Sequence, residues 1–134
     1  MRKLFLHEDA EADLDELWDS EPRVAAKIEV FLEELRESQD LLDRVTQHDF
    51  GTSPRHHPFH VSMWQQQQRL GRNLWRLKLW ELETNGKKYR LIYAFLPLKQ
   101  HHYILGIMPR KNGDFDYDER DPRTQRIVEA YLGL

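Results

Sequence analysis

Cysteine is absent from this chain of 134 residues. Its absence removes both a disulfide framework and thiolate metal sites, and makes the reducing cytoplasm the expected compartment. Also missing is any window approaching the ~20 apolar residues that a membrane span requires. The opening residues 1–6 carry two basic side chains but no extended apolar core, and acidic residues follow at once, which argues against a signal peptide. No internal repeat is visible, and the only low-complexity run is residues 65–68, four glutamines, read as a solvated surface. Net charge is small, at -3.

What is present suits a packed domain. Hydrophobic residues make up 40%, with four Trp, five Tyr and six Phe, too many large apolar groups for a disordered chain. The length fits one domain over residues 1–134, able to bury roughly two thirds of its unfolded surface. Charge is unevenly placed: residues 1–68 hold 7 Lys+Arg against 15 Asp+Glu, whereas residues 69–134 hold 13 against 8. A phosphate-binding footprint is a local cluster, so the near-neutral total does not exclude a polyanionic partner.

Hydrophobic period places the elements. Residues 3–7 read as a strand. From Glu8 the spacing turns helical, with Ala10, Leu14, Leu17 and Trp18 on one face. Ser20 or Glu21 then offers a cap and Pro22 a first helical position. The second helix presents Val24, Ala25, Ile28, Phe31, Leu32 and Leu35 and is expected to continue through Leu41, Leu42 and Val45. Residues 47–58 read as loop and 61–69 as a short turn of helix. Beyond Gly71 the period becomes two, giving strands at 74–82, 89–96 and 101–108. Asn85-Gly86 signals a tight hairpin between the first two. Asp121-Pro122 starts a closing helix. The expected fold is α+β, with a two-helix hairpin and a C-terminal helix packed on one face of a small twisted, mainly antiparallel sheet.

Strand alternation sets Arg76 and Lys78 in one row with Leu74 and Trp80, and Arg90 in a row with Ile92 and Ala94. It sets Arg110 in a row with His102, Ile104, Gly106 and Met108. If the helices cover the other face, these four cations share an open surface. Their mutual repulsion favours a polyanion. Taken singly, each reads more readily as a solvated face residue, and only their convergence favours the functional reading. Tyr89, Tyr93 and Phe95 read as core, and Trp80 as the better stacking platform. His48, His56, His57, His60, His101 and His102 invite a zinc site. However, Pro58 opposes the helix that a His56/His60 pair would need, and no cysteine is available.

The runs Leu74-Trp75-Arg76-Leu77-Lys78-Leu79, Lys88-Tyr89-Arg90-Leu91-Ile92-Tyr93 and Tyr103-Ile104-Leu105-Gly106-Ile107 with Arg110-Lys111 resemble the core of the RelE/ParE/HigB toxins of type II toxin-antitoxin systems. The helical hairpin before the strands fits the same pattern. The resemblance implies a RelE-like fold and a ribosome-dependent messenger-RNA endonuclease that inhibits translation. In such an enzyme the ribose 2'-hydroxyl attacks the adjacent phosphorus without a metal or cofactor. It also implies an antitoxin partner, expected to be a helix-turn-helix protein, covering the basic face. Carried over, Arg76 and Lys78 bind or activate, Arg90 clamps the phosphate, and Arg110 assists charge stabilisation or the leaving group. Tyr117 stacks on a base or orients the 2'-hydroxyl, and His102 competes as a general base. Two alternatives stay open: a ParE-like DNA gyrase poison that performs no chemistry, and a non-enzymatic binding module on the same fold.

Overall fold

A computed structural model of the chain describes residues 1–110 and 118–134. In chain order the elements are β1 (Lys3–Leu6), α1 (Glu8–Ser20), α2 (Pro22–Glu37), α3 (Gln39–Arg44), β2 (Phe59–Met63), α4 (Gln65–Arg69), β3 (Leu74–Leu79), α5 (Trp80–Thr84), β4 (Tyr89–Leu96), β5 (His101–Pro109) and α6 (Pro122–Leu132). The fold is α+β. One five-stranded sheet has the order β1-β5-β4-β3-β2. The pairs β2/β3, β3/β4 and β4/β5 are antiparallel, and β1 joins β5 in parallel, so the sheet is mixed.

Local chemistry explains the helix starts. The His7 ring accepts the Asp9 N–H ahead of α1, and Asp121 caps α6 in the same way with Pro122 behind it. The second helix ends earlier than its apolar spacing suggests. Ser38 leaves helical geometry, and its hydroxyl accepts the Leu41 N–H, so Leu41 and Leu42 belong to a separate helix. Residues 59–63 are a strand, where a helical turn is expected from residue 61. The deciding pattern is the alternation of buried Phe59 and Val61 with the half-buried His60 and Ser62.

A further difference lies at 80–87. The strand stops at Leu79 and a short helix follows, so Asn85-Gly86 is not a hairpin turn. Gly86, at φ +74°, donates to the Glu83 carbonyl while Lys87 donates to that of Leu82. This is the paired Schellman closure of a helix C-terminus.

The core has two parts, one on each sheet face. Helices α1 to α3 close over Trp75, Leu77, Leu79, Leu91 and Tyr93. On the opposite face α6 brings Ile127 onto Leu74, Ile92, Ala94, Leu105 and Met108. The expectation that all helices share one face is therefore corrected. Leu74, Ile92 and Ala94 make the second face of β3 and β4 apolar, and α6 covers it. Strand β5 contributes to that face through a register shift, where Ile92 pairs with Gly106 but Tyr93 pairs with Ile104, leaving Leu105 as an extra residue. This bulge breaks the alternation. Ile104 and Ile107 serve the hairpin side, whereas Leu105 and Met108 serve α6. Beyond β1 the edge of β5 is open, and Asp13 of α1 closes it. One carboxylate oxygen accepts the Ile107 N–H at 2.9 Å, and both oxygens take the Arg126 guanidinium of α6 at 3.0 and 2.7 Å. That bidentate pair ties together helices from the two faces.

Candidate functional site

The face that carries α6 is covered at only one end. Along β3, Leu74 lies under α6 and Arg76 and Lys78 follow; along β4, Ile92 lies under it and Arg90 precedes; beyond Met108 of β5 comes Arg110. All four cations border one cleft of about 240 Å³, together with His60, Ser62 and Leu77. This is smaller than the ~300–1,000 Å³ typical of drug-sized ligand sites. Its walls are mainly polar, the lining suited to a phosphate-bearing fragment. Arg110 reaches the cluster because the β5 bulge lies upstream of it, so Gly106, Met108 and Arg110 fall in one row. The main-chain N–H of Arg110 also donates to the Lys88 carbonyl at 2.7 Å.

The cations are not equivalent. Arg90 forms an ion pair with Glu83 of α5, both side chains about 85% withdrawn from solvent (15% and 13% exposed), and also donates to its neighbour's carbonyl, Tyr89 O, at 3.1 Å. Lys78 holds its ammonium 4.6 Å from the Trp80 ring centroid. Burial, followed by repulsion from Arg90 and more weakly from Arg76 and Lys88, pulls the Lys78 pKa below the usual lysine range, while Glu83 opposes the shift. An ammonium so placed gives up its proton more readily than an exposed one.

Trp80 starts α5 rather than continuing β3, and its ring is already engaged. The indole N–H donates to the Gly51 carbonyl at 2.8 Å, and the His60 ring lies parallel to it, 3° between planes with centroids 5.9 Å apart. It acts as a brace inside the site, not as an open platform for a base. Tyr89 and Tyr93 are core, as expected; the Tyr93 hydroxyl donates to the Val45 carbonyl at 2.6 Å. Tyr117 lies outside the described residues.

Compared with known proteins, the chain matches no family model, no curated protein and no solved structure.

Two residues in or beside the cleft were not singled out by strand alternation. Glu83 was hidden because β3 was expected to run to residue 82. His60 was hidden because it falls between the expected loop and the expected helical turn, although the alternation of Phe59, His60, Val61 and Ser62 carried the signal.

His102 does not belong to the site. In the β4/β5 register Arg90 pairs with Met108 and Phe95 with His102, so the imidazole lies at the far end of the strand pair. It is fully buried, and Arg2 Nη1 lies 3.3 Å from its Nε2. Burial first, then Arg2 and His101, lower its pKa to about 4. Because the folded value lies below the unfolded 6.5, unfolded chains bind more protons between those two values. Stability is thus retained above about pH 6.5 and declines as pH falls towards 4, by about 3 kcal/mol in all. Denaturant titrations at a series of pH values are expected to show that decline in the wild type. In His102→Gln the slope should flatten; an unchanged slope would assign the acid sensitivity elsewhere.

Among the described residues no group of three or more His, Asp or Glu side chains is arranged to hold a metal ion, and no helix is long and apolar enough to cross a membrane.

Proposed function

We propose that the chain is a cytoplasmic type II toxin with a RelE-like fold, an endoribonuclease that binds messenger RNA on the ribosome and cuts it by 2'-hydroxyl attack. The observation that carries this reading is the convergence of Arg76 and Lys78 of β3, Arg90 of β4 and Arg110 just past β5 on one small polar cleft. Attack by a ribose oxygen on phosphorus builds negative charge on the non-bridging oxygens. Guanidinium groups fixed in advance stabilise that charge without reorganising. Arg90 serves best as the phosphate clamp, because its guanidinium already holds an oxyanion, the Glu83 carboxylate, through Nη1. Phosphate binding would be an exchange of one oxyanion for another. A helix-turn-helix antitoxin is the expected partner, silencing the toxin by covering the cationic face.

The test is expression from a tightly repressed promoter with transcript-end mapping. The expected result is growth arrest with messenger RNA cut inside translated regions, and cleavage in a translation extract that neither chelator nor added zinc alters. Arrest accompanied by DNA-damage signalling would instead identify a gyrase poison. Normal growth would leave a binding module.

A further inference from the structure

The four cations leave one chemical need unmet. An arginine does not deprotonate in proteins, and a lysine is protonated at neutral pH, so neither accepts the proton of an attacking hydroxyl readily. The group placed to do so is on β2. His60 stands directly opposite Lys78 in the β2/β3 register and borders the same cleft as Arg76, Arg90 and Arg110. Its side chain is 20% exposed, held in place yet reachable.

Its orientation is set from two sides. The Trp80 ring lies parallel to the imidazole, and Trp80 is fastened by its bond to Gly51. Nε2 lies 3.3 Å from Asp49 Oδ1. A carboxylate only accepts, so Nε2 carries the hydrogen and the Nδ1 lone pair is free to take a proton. Asp49 is itself fixed. Its backbone adopts φ +63°, its N–H donates to the Val61 carbonyl at 2.9 Å, and its second oxygen lies 3.4 Å from His48 Nε2. His48 in turn accepts the Met63 N–H on Nδ1 at 3.0 Å. One carboxylate thus aligns two imidazoles, of which His60 faces the cations.

We propose that His60 is the proton-accepting catalytic residue of this cleft, positioned by Asp49 and Trp80 and acting on a ribose 2'-hydroxyl of RNA; the inference rests on the ribonuclease reading above. The 2'-oxygen loses its proton to His60 Nδ1 and bonds to phosphorus. The P–O5' bond breaks, and the departing oxygen takes a proton from the Lys78 ammonium. The products are a 2',3'-cyclic phosphate and a 5'-hydroxyl. His60 then releases its proton to water and Lys78 recovers one, so the protein is unchanged. The charged and titratable groups around His60 are Asp49 with His48 behind it, Lys78 across the strand pair, Arg76, Arg90 with Glu83, and Arg110.

Single-turnover cleavage of a messenger by the full chain on purified translating ribosomes tests this. His60→Gln is expected to cut about a hundredfold more slowly while co-sedimenting with ribosomes as the wild type does. His60→Ala should regain activity with added imidazole, in proportion to its unprotonated fraction, which a purely structural role would not allow. Should either variant fail to fold, Asp49→Asn gives an independent reading. It should slow cleavage about tenfold, because Nε2 loses the carboxylate that orients the ring and fixes its tautomer, while ribosome binding stays as in the wild type. Cleavage by His60→Gln within about threefold of wild type would overturn the assignment while leaving the ribonuclease reading intact. So would loss of ribosome binding in that variant. A wild-type chain that binds ribosomes and cuts nothing would overturn both.

Discussion

Arg90→Ala is expected to reduce messenger cleavage about a thousandfold and to remove toxicity, the upper range for loss of one fixed donor to a developing oxyanion. The same substitution also strips Glu83 of its partner. A carboxylate whose side chain is only 13% exposed would then stand unpaired, and leaving one member of a mostly buried pair costs about 2–3 kcal/mol. Loss of activity in the single variant is therefore ambiguous by itself. The paired variant Glu83→Gln/Arg90→Gln removes both charges and keeps two groups able to hydrogen-bond, so it should regain most of the lost stability. Its cleavage should stay at the level of Arg90→Ala. Denaturant midpoints and single-turnover rates on the three proteins separate the two effects. A paired variant that recovers both stability and cleavage would remove Arg90 from the site and reduce it to a structural ion pair.

The cationic cleft was legible in the sequence because it depends on alternation within single strands. Arg76 and Lys78 are two apart on β3, Arg90 shares a row with Ile92, and Arg110 follows Met108 at the same spacing. The bulge at Leu105 inverts the expected rows of Tyr103 to Ile104 relative to Ile107 and Met108, whereas Arg110 lies beyond it and keeps its row with Met108. The long amphipathic helices α1 and α2 and the Asp121-Pro122 start of α6 were legible for similar reasons, since cap and period are local signals. What failed was non-local. The Asp49–His60 contact joins residues on either side of a loop containing Pro54 and Pro58, and period carries no information on which loop returns to which edge. The side of the sheet taken by α6 likewise depends on the path of the chain after β5. His102 illustrates the converse: its residue type suits proton transfer, but burial near Arg2 removes it from the chemistry.

Gly51→Ala is expected to be the most destabilising glycine-to-alanine substitution among the described residues, at about 4 kcal/mol. Gly51 has φ +81°, and a Cβ there would fall 1.8 Å from the Phe59 carbonyl oxygen, main chain that cannot swing aside. Two costs add: about 1–2 kcal/mol for a left-handed non-glycine residue, and the overlap itself. Gly86→Ala supplies the control, since Gly86 has φ +74° with nothing within 4 Å of its Cβ position, so it should cost only the first. Thermal melts are expected to show a fall of about 15 °C for Gly51→Ala and about 5 °C for Gly86→Ala. The consequence extends to the site. The Gly51 carbonyl receives the Trp80 indole N–H, and the neighbouring Phe50 and Asp49 pair with Val61 of β2. Displacing Gly51 from Phe59 should loosen Asp49 and Trp80 together, the two supports of His60. At a temperature where the protein is still folded, cleavage by Gly51→Ala should therefore fall about as far as in Asp49→Asn, roughly tenfold. Equal melting points for the alanine variants of Gly51 and Gly86 would mean that the loop yields to the added methyl, and that it is too soft to hold an imidazole in register.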